Sequence, residues 1–576
     1  DVDTAELVFY ASTPDGAFTD ATRPVVGIGD DKLLPVYRYT APEIAGTGGT
    51  LRESGSRIER IVLPQRFAAD DATITLQLDQ SLASAALAGL EYLDVYPYES
   101  TEVTISRLLP NVVTARALTQ LGVDDPVLQA KLDATINLAL QRLAARQKPD
   151  GGWGWYTQDE SSVLVTAYAL VGLVEAQASN YAVDQSLIDG AVRFLQPQVS
   201  TRDVFGGQMG IYIRDRQVFV LYALALAGQP DTAALANLYE QRDLLSLYSR
   251  ALLALALPAT DTVRINALLD DIFAQAIVSA NGTHWEEAGR DRFGWGSNTR
   301  TTAMILRALV KYRPDNDLVP NVVRWLMTAR RGDAWETTQE TAWSVLALTD
   351  WMVATNELNP GYSYAASANG STLTEGVASR ADALTSQVFE LDAEATTTLD
   401  INRSEGEGVL YYTAYLEALL PVPDIMPLTQ GVSISREYTL PDSDTAVTQA
   451  QVGDIVQVHL TIIAPNDLYF VVVDDPLPAG TEGIDPGLAT SERVGTRPGL
   501  ALNDPLSQGW GWWWFSNIEF RDERVVLNAS YLPAGTYEYV YALRVSVPGV
   551  YNVIPPTVRE FYFPEVSGRG AGSTFT

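Results

Sequence analysis

The stretch YPYESTEVTISRLLP, residues 96–110, leads two tyrosines and a proline into a Ser-Thr-Glu-Val run and then into a helical pattern. Ser100 stands where an activated hydroxyl could stand, at the end of an extended segment. A serine nucleophile needs a base, normally histidine, to take its proton. The chain holds two histidines, His284 and His459, and neither lies near in sequence. The same position suits a helix N-cap, whose side-chain oxygen accepts a backbone N–H of the first turn. Glu102 then falls in that first turn, where the helix dipole favours negative charge. A helix start accounts for these residues, whereas catalysis at Ser100 would want a base that the sequence does not supply.

Other chemistries meet similar obstacles. Cysteine is absent, which excludes thiolate catalysis, disulfides and cysteine-ligated zinc. The acid pairs VDDP (123–126) and LDDI (269–272) lack the D-x-D-D spacing of terpene cyclisation. Glycoside hydrolysis needs two facing carboxylates. Asp159, Glu160, Glu286 and Glu287 lie beside Trp-rich turns that would suit a sugar platform, but in a chain this acidic they read more readily as acids in first helical turns. Gly-Gly-Trp-Gly-Trp (151–155) is followed by no lysine, and its rings would crowd a phosphate. Packing between helical hairpins is its expected role. No metal and no other cofactor is expected. The cluster GWGWWWF (509–515) makes Trp510, Trp512, Trp513 and Trp514 candidates for contact with another domain or a partner protein.

The elements that must position these residues alternate in texture along 576 residues. Up to about residue 82, runs such as IERIVLP (58–64) and ATITLQL (72–78) read as strands. From there to about 353, apolar residues recur at helical spacing in roughly a dozen segments. DGGWGWYTQDESSVLVTAYAL, FGWGSNTRTTAMILRAL and DAWETTQETAWSVLAL repeat one theme, a Trp-bearing turn, a Thr-Ala step and a Leu/Ala helix. That self-similarity predicts about six stacked helical hairpins closing into an α/α toroid. Ser or Thr would cap each helix, and the Trp would wedge between hairpins. Beyond residue 358 β-texture returns, and six or seven alternating strands from about 432 onward predict a β-sandwich. The fold class expected is multidomain α and β, with the toroid inserted in a β-domain and a C-terminal sandwich after it. Expected boundaries are 1–55, the end of a preceding or linking β-segment, then 56–83, first part of the bracketing β-domain. The toroid follows over 84–355, the second part of the β-domain over 356–430 and the sandwich over 431–576.

Acidic residues outnumber basic ones 71 to 39, a formal charge of −32, which repels nucleic-acid phosphates and anionic lipid. No apolar run reaches the roughly 20 residues of a membrane-spanning helix. DVDTAELVFYASTPDG shows no signal-peptide pattern and opens in strand-like sequence, as a part of a longer polypeptide would.

The opening stretch resembles the thioester signature of the bacterial alpha-2-macroglobulin family, Tyr-Pro-Tyr-Gly-Cys-Thr-Glu-Gln followed by Ser-Arg-x-Leu-Pro. DGGWGWY (150–156), GEGVLYYTAYLE (406–417), GVSISREY (431–438), VVVDDPLPAGTEGIDP (471–486) and SNIEFRDERVVL (516–527) continue it in the family's order. So does YALRVSVPGVYNVIPPTVREFYFPEVSGR (541–569), so that essentially everything after residue 56 is covered. The resemblance implies a thioester-type toroid, a CUB-like bracketing domain and a final macroglobulin-type, receptor-binding-like sandwich. Ser100 then occupies the cysteine position and Val103 the glutamine position, while Thr101 and Glu102 match. Tyr96 and Tyr98 correspond to the aromatic surround of the thioester. With neither sulfur nor acyl carbon at these positions, the motif is degenerate.

On that resemblance the chain is not an enzyme. It is the C-terminal segment of a protein that traps or hinders proteases by conformational enclosure without covalent capture. Proteases would engage an upstream bait region outside this chain. The expected setting is extracytoplasmic, in the periplasm or at the cell surface, with cell-envelope proteins as further candidate partners. Two alternatives stand beside it: an envelope adaptor using the toroid and sandwich as docking surfaces, and a carbohydrate-active toroid enzyme. The latter would need paired carboxylates about 5–10 Å apart.

Overall fold

The computed structural model describes residues 4–23, 34–35, 40–65, 67, 72–94, 96, 100–199, 207–279, 282–287, 296–330, 334–488, 507–510, 514–515 and 517–576. Among these, twelve α-helices lie between residues 82 and 355. They are α1 (Leu82–Asp94), α2 (Thr101–Gln120), α3 (Pro126–Arg146), α4 (Val163–Ala178), α5 (Gln185–Leu195) and α6 (Gly207–Leu226). The second half comprises α7 (Thr232–Glu240), α8 (Leu247–Ala256), α9 (Thr262–Phe273), α10 (Asn298–Tyr312), α11 (Val319–Thr328) and α12 (Thr338–Thr355). The even-numbered helices close an inner ring: α2 packs on α4, then α6, α8, α10 and α12 follow in turn, and α12 returns to α2. Each odd-numbered helix lies outside, α3 against α2 and so on round to α11 against α10, with α1 against α12. This is the six-hairpin α/α toroid that the repeats predict.

Amphipathicity sorts the helices between the two rings. The inner α2 buries 17 of its 20 residues, whereas the outer α3 buries only Leu132, Ile136, Ala139, Leu140 and Leu143, one stripe at helical spacing. Small residues allow the close approach of the rings. A Cβ on Gly89 of α1 would come within 2.8 Å of Val345 Cγ2 on α12.

The repeated Trp and Thr-Ala motif has a single structural meaning. Trp153, Trp285 and Trp335 each donate the indole N–H to the last turn of the preceding outer helix, at Leu143 O (2.8 Å), Ile272 O (2.8 Å) and Leu326 O (2.9 Å). Their backbone N–H groups donate to Oγ1 of Thr166, Thr302 and Thr341, the threonines of the Thr-Ala steps. Ser162, Ser297 and Thr337 cap the inner helices that follow. In the second copy the wedge seen is Trp285; the tryptophan of FGWG lies outside the described residues.

The chain enters and leaves the toroid through one β-domain. One sheet orders strands Ser386–Asp392, Ala72–Asp79, Leu410–Pro421 and Thr40–Leu51. The other orders Ser371–Val377, Ser363–Ala368, Thr396–Arg403 and Gly55–Val62. Strands from before and after the helices are neighbours, so the toroid sits as an insertion between Asp79 and Ser363. Thr40–Leu51 pairs with Leu410–Pro421 along its whole length, so this sheet begins upstream of the boundary expected at residue 56. Its sequence, TAPEIAGTGGTL, lacks the apolar alternation that marks a strand. The C-terminal sandwich faces a six-stranded sheet, Leu428–Gln430 to Asn517–Phe520, against a five-stranded one built on Ser433–Thr439, Ile455–Ala464 and Gly535–Val545. Their inner faces share a core around Val458, Leu460, Val473, Leu527 and Leu543.

Candidate functional site

The N-terminal ends of the inner helices surround one mouth of the toroid, and the residues of the opening motif lie in it. Ser100 is the N-cap of α2, its Oγ accepting the Val103 N–H at 3.1 Å. Thr101 donates its N–H to Trp155 O at 2.8 Å, and Val103 is buried. Glu102 points inward and is 0% exposed. Ser106 Oγ donates to its Oε1 at 2.5 Å and Gln339 Nε2 to the same oxygen at 2.7 Å, while Thr338 Oγ1 lies 3.2 Å from both oxygens. Tyr562, from the C-terminal sandwich, donates its phenol O–H to Oε2 at 3.4 Å.

That last bond joins two domains. Tyr562 and Phe561 form the turn between strands Thr557–Glu560 and Phe563–Arg569. The Trp155 ring lies 5.2 Å from Phe470 and 5.7 Å from Tyr562, Phe470 lies 5.3 Å from Tyr562, and Phe561 meets Tyr562 at 4.8 Å. Tyr96 is half-buried and meets Phe561 edge-on at 6.4 Å and Tyr92 at 5.8 Å. Phe470 has φ +51°, a left-handed conformation that costs a non-glycine residue of order 1–3 kcal/mol. The Phe561 N–H donates to its carbonyl at 2.8 Å, which helps to hold it there.

Burial pushes the Glu102 carboxyl above its ordinary value, opposed by the hydrogen bonds from Ser106, Gln339, Thr338 and Tyr562. Burial, then the neighbouring Glu102, pushes the Tyr562 phenol well up. Among the described residues no base is bonded to Ser100, whose Oγ serves as the cap of α2. His284 stacks on Trp325 at 4.6 Å and pairs with Glu286, and His459 lies in the sandwich between Thr439 and Glu538. Three of the four carboxylates considered for sugar chemistry have partners, Glu286 being the one paired with His284. Glu287 accepts the Leu247 and Tyr248 N–H groups, both at 3.0 Å, at the start of α8, and Asp159 accepts the Tyr156 N–H. Among the described residues no group of three or more His, Asp or Glu could hold a metal ion, and no helix is long and apolar enough to cross a membrane.

Of the tryptophan cluster, Trp514 packs edge-on against Tyr537 of its own sandwich at 5.2 Å. Trp510 ends a strand, Ser507–Trp510, parallel to Gly535–Val545. Trp512 and Trp513, like Tyr98, lie outside the described residues. The aromatic side chains seen joining sandwich to toroid are Phe470, Phe561 and Tyr562, which the sequence reading did not single out. A signal was present: two aromatic residues occupy a turn where Gly, Asn or Asp is usual.

Two family models match the chain: the bacterial alpha-2-macroglobulin MG10 domain over residues 431–565 and the A-macroglobulin TED domain over residues 73–215. The alpha-2-macroglobulin of Escherichia coli K12 is 26% identical over 508 residues, covering 84% of this chain and 28% of that protein. A Nostoc alpha-2-macroglobulin homolog is 25% identical over 466 residues, covering 76% of this chain and 23% of the homolog. The chain thus spans only 28% and 23% of the length of these relatives. Native E. coli alpha-2-macroglobulin from domain MG7 to its C-terminus superposes with TM-score 0.69 at 22% identity, over 96% of this chain and 83% of that one. Salmonella alpha-2-macroglobulin reacted with methylamine gives 0.67 at 20%, over 97% and 34%. At these identities the structures establish the fold.

Proposed function

The chain is a C-terminal TED-to-MG10 region of the bacterial alpha-2-macroglobulin family, and from that premise we propose that it serves a protease trap that works without a thioester. The observation that carries this reading is the pair Ser100 and Val103. They hold the positions that resemble the thioester cysteine and glutamine, in a chain without any cysteine. A thioester needs a sulfur and an acyl carbon. Ser100 offers only a hydroxyl, already bonded within the cap, and the Val103 side chain offers no carbonyl. The lost warhead removes covalent attachment and leaves steric enclosure, driven by movement of the toroid relative to the β-domains.

Several features support retention of the moving parts. The toroid mouth is still closed by the sandwich through Tyr562, Phe561 and Phe470, and the toroid still hangs from a β-domain by two strand connections. The protein acts as an inhibitor rather than an enzyme, in an extracytoplasmic compartment, with proteases engaged through an upstream bait region. We further assign the domain partition as β-domain, inserted toroid, β-domain and sandwich, with the first boundary moved upstream to include Thr40–Leu51.

The test uses the full-length protein mixed with a panel of proteases. Cleavage of a large protein substrate is compared with cleavage of a small chromogenic peptide, and adducts are sought on a denaturing gel. Loss of large-substrate cleavage alone, with no covalent adduct, is expected. Equal cleavage of both substrates would defeat the trap and favour a docking scaffold. A protease-linked band would defeat the non-covalent mechanism.

A further inference from the structure

Glu102 is a buried carboxylate whose four observed hydrogen-bond partners, Ser106 on α2, Thr338 and Gln339 on α12, and Tyr562 on the sandwich, include no cation. Three of the four are hydroxyls, which donate or accept as required. Ser106 Oγ lies 3.1 Å from the phenol oxygen of Tyr168 on α4. It can therefore accept a hydrogen bond from a protonated Glu102 while donating one to Tyr168. From α10, Arg300 donates to Gln339 Oε1 at 3.2 Å, and the other end of that amide, Nε2, points at Glu102. Tyr96 and Tyr156 also act on Tyr562. Such a shell serves the neutral acid as well as the ion, whereas exclusion of water penalises only the ion. Parting the sandwich from the toroid would withdraw Tyr562, Phe561 and Phe470 together and return water to Glu102.

We propose that docking of the sandwich on the toroid is coupled to a proton on Glu102. The docked form holds the neutral acid, and parting the domains releases that proton to solvent and leaves a hydrated carboxylate. The direction in which burial shifts Glu102 from its ordinary 4.5 agrees. A carboxyl that binds its proton more tightly when docked favours docking fully below that ordinary value. The advantage is lost as pH rises through the docked value. The contact is thus a latch that mild acid tightens and alkali loosens. It stands whether or not the whole protein traps proteases.

Hydrogen exchange of the chain, read by mass spectrometry between pH 5 and pH 8 and corrected for intrinsic rates, tests this. Segments 557–566 and 153–162 report the two sides of the contact. Their opening is expected to increase with pH, by up to ~10-fold per unit where one proton is released. Glu102→Gln, which imitates the neutral acid, is expected to stay docked with a flat profile. Should that variant fail to fold, Tyr562→Ala decides the matter, because an open mouth abolishes the slope. A wild-type profile without slope, or the same slope in wild type and either variant, would overturn the proposal.

Discussion

The two ends of the toroid treat carboxylates in opposite ways. At the end where the inner helices finish, a cavity of about 400 Å³ is lined by all six of them. There Glu175 accepts from Arg116 at 2.8 Å and Asp350 from Arg307 at 2.7 Å. At the other end, Glu102 is bonded by hydroxyls and an amide and is covered by another domain. Cations near helix C-termini also answer the negative ends of the helix dipoles. Hence the first end carries a charge balance internal to the toroid, independent of its neighbours. The mouth is completed only when the sandwich is present. One scaffold therefore contains a permanent electrostatic joint and a conditional one.

The sharpest way to break this contrast is to remove one partner of the permanent joint. Arg307 is only 10% exposed in its side chain, while Asp350 is 27% exposed. Arg307→Ala strands a largely buried carboxylate, and an expected loss of ~3 kcal/mol, at the low end for buried pairs because Asp350 can rehydrate, should appear in thermal or denaturant unfolding. Replacing both partners, Arg307→Met with Asp350→Leu, is expected to recover much of that loss. A single variant as stable as wild type would mean that the pair contributes little and that the contrast is one of geometry alone.

A second tyrosine–carboxylate contact sharpens it. Where α12 leaves the ring, Glu357 accepts the Tyr411 O–H of the β-domain at 2.8 Å. Burial raises its carboxyl from 4.5 to about 7, against the lowering effects of Tyr411 and Arg52. The unfolded chain releases this proton near pH 4.5 and the folded chain near 7. Stability from this group is therefore complete below the first value and declines between the two. Converted at 1.36 kcal/mol per unit, the loss across that window is on the order of 3 kcal/mol. Unfolding midpoints at pH 5 and pH 8 read it, and Glu357→Gln should remove most of the difference. A midpoint that rises with pH would contradict the assignment.

What could be read from sequence follows from the range over which each signal acts. The hairpin repeat was legible because Trp153 with Thr166, and Trp335 with Thr341, each act within some 15 residues of one another between neighbouring helices. The same locality hid Trp285 as a wedge, since FGWG looks more like DGGWG than THWEE does. Thr40–Leu51 was hidden because its pairing partner lies some 370 residues away and its own Gly and Thr residues carry no alternation. The mouth was half legible. Ser100 as a cap is a local matter of residue type and position, and the structure has it so. The burial of Glu102 under Tyr562 is set by two segments 460 residues apart, and no periodicity in either one encodes the meeting.

The smallest effect concerns Ser100 itself and separates its local role from its inherited position. Its Oγ satisfies one of the N–H groups that the first turn of α2 leaves without a helical partner. Ser100→Ala is therefore expected to cost ~1 kcal/mol, the usual value of a lost N-cap, while Ser100→Asp or Ser100→Asn should retain most of it. Denaturant unfolding of the three variants measures the order. Because Ser100 Oγ accepts the Val103 N–H and no base among the described residues is bonded to it, Ser100→Ala should leave large-substrate protection by the full-length protein unchanged. A marked loss of protection without a matching loss of stability would mean that position 100 still acts on the trapped protease, and the mouth would then be more than a joint between domains.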